Sequence, residues 1–170
     1  SPVLLFSNTI ATLTDNGTSA KVIALGSIEG VHSQASVVHE NPAGMGDLER
    51  TNVSVFYTKM ADQETNYSSM SAVFQQKETR VGFGFTRMSV PNLDFTGELN
   101  NKFFVENSFE VNETLYTAAV SHPLHKNVDL GVSSHYYLQQ LYLTSGRGFN
   151  MDLGLKVKHH IFTHSMTVKN

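Results

Sequence analysis

The chain has 170 residues, a net charge of −3 from 12 basic and 15 acidic side chains, and no cysteine; this length argues for one domain with enough material for a sizeable core. So small a charge without a basic block excludes the electrostatic footprint of a nucleic-acid binder, and the lack of cysteine excludes disulfide scaffolds, thiolate metal sites and cysteine nucleophiles. No apolar run approaches the roughly 20 residues that a membrane helix needs, whereas a mean hydropathy of −0.19 suits a β-barrel, apolar on one face only, and a water-soluble protein equally well.

The chain opens on Ser1-Pro2-Val3-Leu4 with no charged leader or cleavage pattern, so a signal peptide is expected to be already removed or never present. Residues 1–35 lack a steady period and are expected to be irregular, with short helical turns. Within them Asp15, Thr18 or Ser19 can cap a helix, or Asn16-Gly17 can close a hairpin.

Residues 36–48 form a hinge between this entry segment and a region of strand-like alternation. Asn41-Pro42-Ala43-Gly44 is a turn by composition: proline fixes its own φ and biases Asn41 away from the helical region, and glycine tolerates angles other residues avoid.

Alternation with period 2 begins after the hinge. Strands are expected over 52–60 and 67–75, joined by a polar connection at 61–66, with Met70, Ala72 and Phe74 on one face of the second. In 80–88, Val81, Phe83 and Phe85 oppose Gly82, Gly84 and Thr86, a large-against-small pattern that suits a curved wall with space inside, or a sandwich strand with glycines at a bend. Residues 89–112, interrupted by Pro91, Asn92, Gly97, Asn100 and Asn101, predict a long loop carrying a short strand near 103–109.

The pattern resumes over 113–121, and residues 122–127 are expected to be a tight connection. Across 128–142, Val128, Leu130, Val132, Tyr136, Leu138 and Tyr142 oppose Asp129, Gly131, Ser133, His135 and Gln139. Gly146 and Gly148 mark the next predicted turn, and strands come after it at 151–157 and 161–169. Val128 to Val132 and Met151 to Leu155 share the order apolar, Asp, Leu, Gly, apolar, as neighbouring strands of one sheet would. Six or seven strands result, each with an apolar face and a polar or nearly empty one.

Eight histidines invite a metal reading. His159, His160 and His164 are close in sequence, but a strand sends adjacent residues to opposite faces and no carboxylate is near, so no metal site is expected. A catalytic triad would have to be assembled by the fold, and no nucleophile elbow or phosphate loop is present.

Several of these features together resemble the long-chain fatty-acid transporter (FadL) superfamily of bacterial outer-membrane barrels, especially its PorV/PorQ branch. They are Ala24-Leu25-Gly26, Asn41-Pro42-Ala43-Gly44 with Leu48 after it, the Gly82/Gly84 strand, and the strand from Tyr116 to Val120 leading into His122-Pro123-Leu124. Leu130-Gly131-Val132, Asp152-Leu153-Gly154 and the closing Val168-Lys169-Asn170 complete the match over most of residues 22–170. The resemblance implies an all-β fold, an antiparallel up-and-down transmembrane β-barrel with an irregular or short-helical N-terminal segment. Residues 1–50 would be a lumenal, plug-like segment ending in the Asn41–Gly44 turn, and 51–170 barrel strands. Such barrels have roughly fourteen strands, so about half a barrel is expected, a fragment of a longer chain or one completed by other subunits. Also implied are the bacterial outer membrane, a lipid bilayer as partner with a hydrophobic ligand or other protein subunits, no cofactor and no enzymatic activity. The function would be passage of hydrophobic molecules or partnership in protein export and surface assembly. The alternative is a soluble or secreted all-β binding or assembly module, its apolar faces packed between two sheets; dependence on detergent separates the two.

Overall fold

The computed structural model describes residues 13, 17–26, 32–60, 65–99 and 102–169. Seven strands succeed one another: β1 (Asn52–Met60), β2 (Thr65–Gln76), β3 (Thr79–Leu99), β4 (Lys102–His125), β5 (Val128–Leu141), β6 (Thr144–His159) and β7 (Phe162–Val168). Each pairs antiparallel with the next, in the order β1 to β7. The sheet curls as half a barrel, so the expected all-β, up-and-down architecture is what the chain adopts.

Period-2 patterning sets the two faces. Val55, Met70, Phe83, Tyr116, Val132, Leu153 and Met166 stand exposed on the convex side, one from each strand. Tyr67, Ser69, Ser71 and Val73 of β2, Thr86 of β3, Leu115, Thr117 and Ala119 of β4, Ser133 and His135 of β5, and Asp152 and Lys156 of β6 are buried on the concave side.

What buries them is the segment before β1. Ser19 caps helix α1 (Ala20–Ala24), its side chain accepting from the Val22 amide. Two 3-10 turns, Ala35–His39 and Pro42–Asp47, then lie across the concave face. Val37, Val38, Met45 and Leu48 close a small apolar core with Val73 and Ala119 of the sheet. Leu13 belongs to a second cluster with Leu115 and Tyr137, and the Tyr67 hydroxyl donates to its carbonyl at 3.1 Å.

The structure corrects four expectations. Residues 89–112 are no long loop: β3 and β4 continue as a hairpin of 21 and 24 residues. The register shift between Val90 and Leu93 absorbs Pro91, which has no amide to give the ladder, and a second shift lies between Phe95 and Thr96. The tight connection at 122–127 shrinks to Lys126-Asn127, because β4 runs through His125, with a bulge past Pro123. Gly146 and Gly148 lie inside β6, and the chain reverses at Tyr142-Leu143, where Tyr142 itself adopts φ 48°. Gly44 does not adopt a positive φ; it sits within the second 3-10 turn, where its amide bonds the Asn41 carbonyl at 2.9 Å. Of the 61–66 connection, residues 61–64 lie outside the described residues, as do Asp15, Asn16, Asn100, Asn101 and Asn170, while Thr65 and Asn66 begin β2.

Candidate functional site

The densest side-chain chemistry lies where the two 3-10 turns meet the concave wall. Asn41, extended and fully buried, caps the second turn by accepting from the Ala43 amide at 2.9 Å. Its Nδ2 donates to Ser165 Oγ of β7 at 2.6 Å and, more weakly, to the Met166 carbonyl at 3.4 Å. One side chain therefore satisfies its own turn and ties it to a strand far away in sequence. Pro42 supplies the first helical position, where no amide donor is missed. Ala43 and Gly44 are buried beside it.

The wall is cut to receive this turn. Gly131 and Gly154 are directly paired on β5 and β6, and a Cβ on Gly131 would overlap the Ala43 amide and the Pro42 carbonyl carbon. On Gly154 it would overlap Asn41 Oδ1. The repeated Asp-Leu-Gly of the two strands thus has a physical reason: its glycines make adjacent halves of one seat. Further along, Gly82 leaves room for Met45 and Val38, and Gly84 for the ring of His39.

Polar groups fix both ends of the seated segment. At one end the Asp47 carboxylate meets Lys156 Nζ at 2.6 Å and also pairs with Lys158. Burial resists ionisation of Asp47, but hydrogen bonds from the two lysines outweigh it and hold its pKa below the ordinary 3.8. Arg80 Nε donates to the Leu48 carbonyl at 3.2 Å, and Asn52 Oδ1 accepts from the Ala35 amide at 2.9 Å. At the centre a buried chain runs from segment to wall: His39 Nδ1 to Thr117 Oγ1 at 3.1 Å, Thr117 Oγ1 to His135 Nδ1 at 3.0 Å, and His135 Nε2 to Asp152 Oδ2 at 3.1 Å. Within the segment, Glu40 binds His32 Nε2 at 2.9 Å and accepts from the Thr18 hydroxyl.

Thr117, His135 and Asp152 reproduce the order of a nucleophile, base and acid. All three are buried, and the Thr117 hydroxyl is also engaged by His39. They stand in mid-strand, in the paired stretches of β4, β5 and β6, where backbone amides belong to the ladder and are not presented as oxyanion donors. The arrangement ties strands together and to the segment.

A scan against protein-family models and searches of curated proteins and of solved structures found no match.

The structure brings Asn41, Pro42, Ala43 and Gly44 together with the wall as one packed unit. It does not bring His159, His160 and His164 together. His159 and His160 rings stack edge to face at 4.4 Å across the β6–β7 turn, His164 pairs with Val157, and no set of three metal-ligating side chains assembles among the described residues. Sequence reasoning passed over His39, Thr117 and Asp47 as site residues. His135 and Asp152 were legible as inward-facing, but their partners depend on cross-strand register. On the convex side, Phe83, Tyr116, Ala118, Ser134, Tyr136 and Phe149 line an open groove of about 310 Å³.

Proposed function

We propose that this chain forms part of the wall of a bacterial outer-membrane β-barrel, its convex face against lipid and its N-terminal segment seated in the lumen as a stopper. One observation carries the reading: every strand exposes a large apolar side chain on the convex face, while the concave face mixes polar side chains and glycines with a few apolar ones, Val73, Leu115 and Ala119 among them, and is packed by the chain's own segment. A water-soluble sheet would place its apolar face inward; a membrane barrel inverts that order.

A seat this closely fitted favours a stoppered wall that serves as a partner in protein export or surface assembly. Passage of hydrophobic molecules would require residues 35–48 to leave Gly131 and Gly154. The test is folding with and without an amphiphile. The protein should gain its strand signal and float with vesicles only when detergent or lipid is supplied. A monodisperse, fully folded protein in detergent-free buffer would exclude the membrane wall and leave the soluble assembly module.

A further inference from the structure

We propose that acid releases residues 35–48 from the concave wall, because the chain His39–Thr117–His135–Asp152 receives the segment only with a neutral imidazole at position 39. The inference goes beyond the membrane reading and does not depend on it, since the docking is intramolecular.

The Thr117 hydroxyl has one proton and lies between two imidazole nitrogens, His39 Nδ1 and His135 Nδ1. With a single proton on His135, held on the Nε2 that faces the Asp152 carboxylate, its Nδ1 is an acceptor, so Thr117 donates to it and accepts from His39. At the far end, His135 Nε2 faces the Asp152 carboxylate, an acceptor, with Ser133 Oγ also at 3.1 Å. The protons therefore run one way: His39 Nδ1–H to Thr117, Thr117 O–H to His135 Nδ1, and His135 Nε2–H to Asp152, a tautomer assignment fixed by the network. His39 Nε2 is left as a bare lone pair, buried and without a hydrogen bond of good geometry, with the Met70 backbone near the ring favouring a proton only weakly.

A second proton on His39 has only that nitrogen to occupy. The ring fills the space that a side chain on Gly84 would take, so at this position β3 meets it with backbone alone. Burial is the largest influence on the ring, and a charge on His135 of β5, when present, opposes a second one on His39; Glu40 on its own segment and, weakly, a hydrogen bond with the Met70 backbone of β2 favour one. Thr117 of β4 is uncharged, and Asp152 of β6 is engaged by His135. The balance lowers the His39 pKa from 6.5 to about 4.

Proton linkage gives the direction of the effect. Above the free value of 6.5 neither form is protonated and pH is without effect through this group. Below it the released segment takes up a proton that the docked one refuses, so docking weakens about tenfold per pH unit until about pH 4, roughly 300-fold in all. Asp47 extends the same trend below its ordinary 3.8, as its carboxylate is neutralised and its lysine pairs are lost.

Hydrogen exchange, normalised for the intrinsic rate, tests this on the whole folded protein. Between about pH 6.5 and about pH 4.5, protection at residues 35–48 should fall roughly 40-fold while amides in β4 and β5 keep theirs. His39→Gln, which keeps a donor for Thr117 and cannot titrate, should give a flat profile over that range. A flat profile in the native protein, or an unchanged slope in the variant, overturns the proposal. Should the variant not fold, the His39 ring can be titrated directly by NMR in the native protein: a midpoint near 4 supports the proposal and one near 6.5 overturns it.

Discussion

Gly154 of β6 lies so close to Asn41 that a Cβ on the glycine would overlap the asparagine Oδ1, the atom that caps Ala43. With Gly131 beside it on β5, this contact decides where the N-terminal segment rests on the wall.

Alanine at either glycine should therefore lift the turn. At Gly131 the added methyl meets backbone atoms of Pro42 and Ala43, which have nowhere to go; at Gly154 it first meets a side-chain oxygen. Gly131→Ala should cost about 1–3 kcal/mol of docking, the usual range for overpacking, and Gly154→Ala less. Hydrogen exchange at residues 35–48 measures both, and the reverse order would show that Asn41 and not the turn backbone is the tighter fit.

Asn41→Ala removes a cap and the link to Ser165 and Met166 together. A loss of about 1–2 kcal/mol is expected, the scale of a missing cap with a partner left unsatisfied. Limited proteolysis should cut sooner within residues 32–48, while the ladder from β2 to β6 stays intact. Unchanged cleavage, or melting of the whole sheet, would contradict an anchoring role.

Asp47→Asn should loosen the same segment from its other end. Lys156 is only 1% exposed, and charged hydrogen bonds are worth about 1.5–3 kcal/mol; because Asp47 is partly exposed, a loss near the lower figure is expected. The native contribution is complete above the ordinary carboxylate value of 3.8 and disappears as pH falls through the lower docked value. Denaturant titrations below pH 3.8 should thus converge for the native and variant proteins, and a gap that persists in strong acid would rule out the ion pair as its source.

Leu153, 49% exposed on the convex face, separates the membrane wall from a soluble module. Leu153→Arg should oppose insertion by about 2–4 kcal/mol if the position lies near the middle of a bilayer. Refolding yield into vesicles reads the effect, with Lys126→Arg in a turn as a control. Arginine at Gly131 or Ser133 gains nothing from facing inward, because Gly131 touches Pro42 and Ala43 and Ser133 is buried beside His135.

The faces of the sheet were readable from the chain because alternation has period 2 and needs only local information: Val132 against Ser133, and Leu153 against Asp152, point as their patterns say. The reversal at Tyr142-Leu143 was hidden because a tyrosine adopts the left-handed angle while glycines nearby stay extended. The β3–β4 hairpin was hidden for a related reason, since a bulge absorbs the proline that composition reads as a break. His39, Thr117, His135 and Asp152 come from four separate elements. Their meeting depends on a register, Thr117 opposite His135 and Ser133 opposite Asp152, that no single stretch encodes.

The strand order carries a parity rule. In a meander of seven antiparallel strands the first and last run in the same direction, so among the described residues β1 and β7 present free edges of identical polarity. Strands that pair antiparallel with both edges and return upon themselves must be odd in number, which makes any closed cylinder even. A second copy of this chain, rotated about the cylinder axis, would instead set its β1 parallel to the first copy's β7, at two seams. The direction of the edges thus discriminates among closing arrangements before any side chain is considered.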